Sequence, residues 1–278
     1  MRPRGSGMSN SQATMSNQVS SPKPDPPQRT LGMWEAPRTE LLRLGDDDVH
    51  VWRWRLGRAS DNVSVLKRLL SSDEVARAER FYFPRHHDAF VVARAGLRQT
   101  LARYLDILPE AIAFRYGDAG KPELPRAGCG ELAGREFAFN LSHSSDWALC
   151  AVARRGPLGV DIERVREMND AAGLARRYFA AAEVRVWQTL APAEQLAAFF
   201  RCWTRKEAYL KALGDGLRAP LDRFVVSFAP GEPPRLVEPS PHDEHRDWSI
   251  EDLDVAEGYT AAIVVPRPCG VCKRFSAD

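Results

Sequence analysis

The chain of 278 residues contains no long apolar run. The longest, Trp147 to Ala153, has seven residues, against the ~20 that a membrane-spanning helix needs. No membrane partner is therefore expected. Charge of one sign is also lacking. Lys and Arg number 39 against 37 Asp and Glu, a formal +2, which leaves no electrostatic footprint for nucleic acid. Any anion chemistry must come from local clusters. Cysteine is sparse and odd in number, five in all, without the spacing of a disulfide framework. Reduced thiols and a cytoplasmic location are expected. The basic start (Arg2, Arg4) has no apolar stretch of a secretory signal behind it. Cys269-Gly-Val-Cys272 is a lone CxxC without a second pair and reads as incidental thiols in a tail, 269–278. Residues 1–30, rich in Ser, Pro, Gln, Asn and Gly, lack large apolar side chains and are expected to form a disordered leader.

What remains is ordinary for a globular protein: 44% hydrophobic and 27% charged residues, enough for a core without disulfides. Val49 to Leu56 reads as a strand. The Asp46-Asp47-Asp48 run before it reads as a solvated loop, because consecutive carboxylates on a turn point apart. Ser71-x-x-Glu74 is a capping box that opens a helix to about Phe81. A longer helix covers His87 to Leu105, with Phe90, Leu97, Leu101 and Tyr104 at helical spacing. Arg94 lies within that apolar stripe and Arg98 on its edge, so each needs an anion. An internal salt bridge or a bound phosphate would serve. Residues 116–135 are Gly- and Pro-rich loop. Strands are predicted over 137–142, 147–153 and 158–162, and helices near 169–179, 181–189 and 192–213. Leu221–Phe228, Trp248–Leu253 and Tyr259–Val265 read as closing strands. Helices followed by strands, twice over, predict an α+β fold of two similar lobes, 31–156 and 157–268.

The chemistry concentrates in the second half. Asp161 and Glu163 flank Ile162 at a strand end, so both carboxylates share one face while Val160 and Ile162 point to the core. Carboxylates side by side repel, and a hard divalent cation relieves that repulsion. Glu207 lies four residues after Trp203 in the buried stripe of helix 192–213, and Lys211 four after Glu207. A carboxylate on a packed face needs a cation, either this lysine or a metal shared with Asp161 and Glu163. Lys206 is rotated about 100° from Glu207 and need not serve the same site. Lys121, held in Gly120-Lys121-Pro122, and Ser142-His143-Ser144, directly after a buried strand, are candidate anion donors.

Taken in order, Phe139-Asn-Leu-Ser-His-Ser144, Gly159-Val-Asp-Ile-Glu163 and Trp203-Thr-Arg-Lys-Glu-Ala-Tyr-Leu-Lys211 resemble the successive motifs of the 4′-phosphopantetheinyl transferase superfamily. The likeness is to its long, pseudo-dimeric form, and Gly120-Lys121-Pro122 matches a loop of that group. The resemblance spans roughly residues 50 to 265. It implies two α+β lobes related by a pseudo-two-fold axis, with the active site in the cleft between them. It implies that a monomer moves the phosphopantetheine arm of coenzyme A to a serine of an apo acyl or peptidyl carrier protein. Asp161, Glu163 and Glu207 would hold Mg2+, or Mn2+ in its place. Lys121, Ser142 and His143 would contact the nucleotide phosphates, with Arg94 a looser match. Glu207 would act as general base and Lys211 would approach the pyrophosphate. Arg176, Arg177 and Phe179 are candidates for the carrier surface, or else an ordinary amphipathic helix. A coenzyme A hydrolase and a non-catalytic carrier binder stay open as alternatives.

Overall fold

Alternation along the strands sets the layering of the fold, a computed structural model that describes residues 33–36, 41–57, 62–117, 120–125, 137–154, 156–214, 220–241, 243 and 247–277. The first half runs β1 (Asp48–Arg55), α1 (Val63–Leu66), α2 (Ser72–Ala78), α3 (Pro84–Leu105), β2 (Arg115–Tyr116), β3 (Pro122–Glu123), β4 (Ala138–Ser144) and β5 (Trp147–Ala153). It continues with β6 (Gly159–Arg164), α4 (Ala171–Tyr178), α5 (Ala181–Thr189) and α6 (Pro192–Leu213). Last come β7 (Val225–Val226), β8 (Leu236–Glu238), β9 (Trp248–Asp252), β10 (Tyr259–Pro266) and β11 (Gly270–Ser276). The described residues fall in one compact unit, Gly32–Asp278. Among them no helix is long and apolar enough to cross a membrane.

Two sheets carry the architecture, one ordered β11-β1-β5-β4 and one ordered β6-β10-β9. Because successive side chains face opposite ways, each strand feeds two cores. Trp52 and Trp54 of β1, with Ala148, Cys150 and Val152 of β5, pack on Leu97, Leu101 and Tyr104 of α3. Val49, Val51, Leu149 and Ala151 instead meet Val160, Ile162, Ala261 and Ile263 between the sheets. The opposite face of β10, Ala262 and Val264, packs with Ala208 and Ala212 of α6. The order of layers is helix, sheet, sheet, helix, and the α+β class expected from the sequence is what forms. Helices α3 and α6 are each 22 residues, open on a proline and end on a left-handed residue, Asp106 and Gly214.

Three elements differ from expectation. The predicted strand Leu221–Phe228 is a 3-10 turn followed by two strand residues. There Val226 N–H donates to the Glu183 carboxylate (2.8 Å), which takes the place of a strand neighbour. The supposed tail forms β11, paired in parallel with β1, and Phe275 stacks on Trp52 at 4.4 Å. Its weak alternation hides this, since the pairing joins segments more than 200 residues apart. Phe179, proposed for a surface, is buried at 3% exposure and stacks on Phe199. The leader expected over 1–30 lies outside the described residues.

His50 is a buried titratable group on β1. One ring nitrogen, Nδ1, lies 2.8 Å from the Tyr104 hydroxyl, and Nε2 has no hydrogen-bond partner among the described residues. Burial, aided by Lys273 and opposed by Asp48, lowers its pKa from 6.5 to about 4. The unfolded chain therefore takes up this proton first. The stability contributed by neutral His50 is complete above pH 6.5 and falls as pH drops from there towards 4. Between pH 7.5 and 5 the loss should be about 2 kcal/mol. Urea unfolding of His50→Gln should show that much less acid sensitivity. Identical pH slopes in parent and variant would disprove the assignment.

Candidate active site

A pocket of about 360 Å3 opens where β4, β6 and α6 meet. The register of β6 turns Val160 and Ile162 into the inter-sheet core, so Asp161 and Glu163 face α6. On α6, Trp203, Glu207 and Lys211 recur every four residues and form the facing wall. Gly159 makes the approach close. A Cβ there would lie 2.0 Å from the Ala208 carbonyl oxygen and 2.5 Å from the Ala212 nitrogen, both α6 backbone. Only glycine lets the helix rest on the strand and bring Glu207 and Lys211 over Asp161.

The third wall, β4, meets β6 through side chains. Its polar face carries Asn140, Ser142 and Ser144, two residues apart. Asn140 Oδ1 accepts from Val160 N–H (2.8 Å), and Ser142 Oγ donates to Asp161 Oδ1 (2.8 Å). Ser144 Oγ donates to Glu163 Oε2 (2.8 Å) while accepting from Arg164 N–H (3.1 Å). Lys211 completes this arrangement. Its ammonium donates to Asp161 Oδ1 (2.6 Å), Ser142 Oγ (3.0 Å) and the Val160 carbonyl (3.2 Å).

Two carboxylate oxygens stay uncompensated: Asp161 Oδ2 and Glu207 Oε1 are buried and have no hydrogen-bond partner among the described residues. Burial first, then Asp161 and Glu163, push the Glu207 carboxyl up to about 7 against the pull of Lys211. Burial likewise raises Glu163, opposed by its bond from Ser144. Open lone pairs in an all-oxygen donor set suit a hard divalent cation that keeps its remaining positions for water and substrate oxygens. Among the described residues, however, no three carboxylates close on a single point as a ready-made metal cage. The residues fit a cation whose coordination a ligand completes.

The neighbours of Glu207 in sequence do different work. Lys206 is fully buried, pairs with Glu183 at 2.7 Å and donates to the Phe224 carbonyl. Arg205 grips Asp252 through two nitrogens. Both fasten α6 to the surrounding chain, and neither reaches the pocket.

The anion donors predicted from sequence are only partly gathered. His143 lines the rim, its pKa lowered by partial desolvation and then by Lys211 and Arg94. Ser142 lines the pocket with its hydroxyl engaged as described. Lys121 stands at the end of α6, donating to the Lys211 carbonyl (3.2 Å), and burial lowers its pKa. Arg98 takes the salt-bridge reading, 2.7 Å from Glu74. Arg94 lies 3.8 Å from the same carboxylate, and its buried Nη1 has no hydrogen-bond partner among the described residues. Sequence reasoning took Ser144 for an anion donor in a loop after the strand, whereas it lies in β4 and donates to Glu163, and it gave no role to Asn140. Their signal was the period of two in Asn-x-Ser-x-Ser, matching the period of the carboxylates on β6.

Comparison with known proteins finds two family matches. Residues 54–155 match the family described as 4′-phosphopantetheinyl transferase, N-terminal, and residues 157–264 match the 4′-phosphopantetheinyl transferase superfamily. The chain is 39% identical over 229 residues to the 4′-phosphopantetheinyl transferase HetI of Nostoc sp., covering 82% of this chain and 92% of that protein. It is 29% identical over 199 residues to a 4′-phosphopantetheinyl transferase of Bacillus subtilis, covering 72% and 83% respectively.

Proposed function

This chain belongs to the 4′-phosphopantetheinyl transferase superfamily, and from that premise we propose that its reaction runs in the pocket of Asp161, Glu163, Glu207 and Lys211. As a phosphopantetheinyl transferase it moves the 4′-phosphopantetheine group of coenzyme A to a carrier-protein serine and releases adenosine 3′,5′-bisphosphate. The observation that carries the assignment to this pocket is the pair of buried oxygens, Asp161 Oδ2 and Glu207 Oε1, that have no hydrogen-bond partner among the described residues and lie beside a lysine.

Asp161, Glu163 and Glu207 would hold Mg2+, with Mn2+ an alternative, and the bound cation would screen the pyrophosphate charge that repels an incoming oxygen. Glu207 accepts the proton of the serine hydroxyl, the task of a positioned carboxylate. The serine oxygen forms its bond to the phosphorus that carries pantetheine. The bond from that phosphorus to the bridging oxygen breaks, and its electron pair leaves on the adenosine bisphosphate. Lys211 is placed to stabilise that developing charge on leaving Asp161. At the nucleotide end His143, Lys121 and Arg94, whose Nη1 has no partner among the described residues, supply donors for phosphate, while Ser142 serves from the pocket wall. The lobes 31–156 and 157–268 would frame this cleft. One chain supplies every group named, so a monomer suffices and no nucleic acid or membrane is needed. The buried thiols of Cys150 and Cys202 suit the cytoplasm.

Incubating an apo carrier protein with the enzyme, coenzyme A and Mg2+ should add one phosphopantetheine by mass spectrometry, and EDTA should abolish the gain. Breakdown of coenzyme A without carrier modification would mean that water, not serine, is the acceptor. A gain that survives EDTA would remove the metal from the reading.

A further inference from the structure

The polar face of β4 is matched residue for residue to the carboxylate face of β6. These strands belong to different sheets, so no backbone ladder joins them along this edge. Side chains make the join: Asn140 to Val160 N–H, Ser142 to Asp161, and Ser144 to both Glu163 and Arg164 N–H. Both strands advance two residues per step, so one register aligns all three contacts. Asn140, at 4% exposure, anchors that register by satisfying a buried N–H of β6.

We propose that Ser144 is a positioning residue for the transfer reaction: it fixes the Glu163 carboxylate so that the oxygen not bonded to Ser144 is offered to the cation. The proposal rests on the metal reading above. Ser144 differs from Ser142 in what donates to its Oγ: a backbone N–H of β6, where Ser142 accepts from the Lys211 ammonium of the pocket. It accepts from Arg164 N–H and so must aim its own proton at Glu163 Oε2. With Oε2 held by Ser144, rotation of the Glu163 carboxylate is restricted by a hydrogen bond from β4. The alternative partner of that oxygen, Arg166, is 3.6 Å away and mostly exposed, too loose to set an orientation. Ser142 gives the same hold to Asp161 but shares its oxygen with Lys211, so its loss would disturb two groups together. Ser144 is therefore the residue at which positioning can be tested without disturbing Lys211.

The test is Mn2+ binding to the full chain, followed by electron paramagnetic resonance of the free ion, with and without coenzyme A. Ser144→Ala should weaken Mn2+ about tenfold, as removal of outer hydrogen bonds to metal ligands does. Ser144→Thr, which keeps the hydroxyl, should restore most of the affinity, and the KM for carrier protein should stay put. If Ser144→Ala does not fold, Ser144→Cys keeps the volume but only a weak donor and should show the same loss. Parent and Ser144→Ala binding Mn2+ equally would overturn the positioning role and leave the metal site standing. A parent chain that binds no Mn2+ in either condition would overturn the metal reading and this proposal with it.

Discussion

Glu207→Gln should lower the transfer rate by about 10²–10⁴, the range a positioned proton acceptor contributes, while leaving the fold at least as stable as the parent. The amide can neither take the serine proton nor offer an anionic oxygen to the cation. Stability moves the other way for an electrostatic reason. Burial and the carboxylates of Asp161 and Glu163 raise the Glu207 pKa from 4.5 to about 7. A carboxyl whose folded pKa lies above its unfolded value penalises the fold as pH rises through that window, fully so above 7. Glutamine removes the penalty, so the advantage of the variant without divalent cation should grow from pH 4.5 and level off above 7. Thermal unfolding in EDTA across that range, alongside carrier loading with Mg2+, separates the two effects. Normal loading would end both roles given to Glu207. Lost loading together with a markedly lowered melting temperature at pH 8 would trace the defect to packing instead.

Gly159→Ala should be among the most damaging single methyl additions in the protein. Overpacking typically costs 1–3 kcal/mol because side chains can turn aside. Here the methyl would meet a carbonyl oxygen at 2.0 Å and a backbone nitrogen at 2.5 Å on α6, neither of which can rotate away. A loss of about 3 kcal/mol or more is expected. The helix must also lift, carrying Glu207 and Lys211 away from Asp161, so the Mg2+ concentration for half-maximal transfer should rise together with the urea sensitivity. Both readouts unchanged in the variant would mean that strand and helix do not touch as described.

Much of this site was legible beforehand because it rests on periodicity. The period of two put Asp161 and Glu163 on one face, and the four-residue step put Trp203, Glu207 and Lys211 on one stripe. The helix carrying the stripe appears where expected, α6 over Pro192–Leu213, and the carboxylate strand, expected over 158–162, runs as β6 from Gly159 to Arg164. Periodicity also misled where it could not see a partner. Arg176, Arg177 and Phe179 read as one surface or as an ordinary amphipathic helix, and the fold excludes Phe179 from any surface: it is core, stacked on Phe199, while both arginines stay exposed. Arg94 and Arg98 read alike, yet Glu74 takes Arg98 into a close pair and leaves Arg94 with one nitrogen that has no partner among the described residues.

Local pattern alone determined the family motifs, the strand and helix carrying the three carboxylates, and the face each shows, because those depend on backbone geometry within a few residues. Only the tertiary structure decided what the neighbours of Glu207 hold, Arg205 on Asp252 and Lys206 on Glu183, and that two serines of β4 hold the carboxylates of β6. It also decided that residues 270–276 close the first sheet beside β1. Each of those outcomes is set by a partner distant in the chain, and a buried polar group goes to whichever partner satisfies it there. No window of neighbouring residues contains that partner.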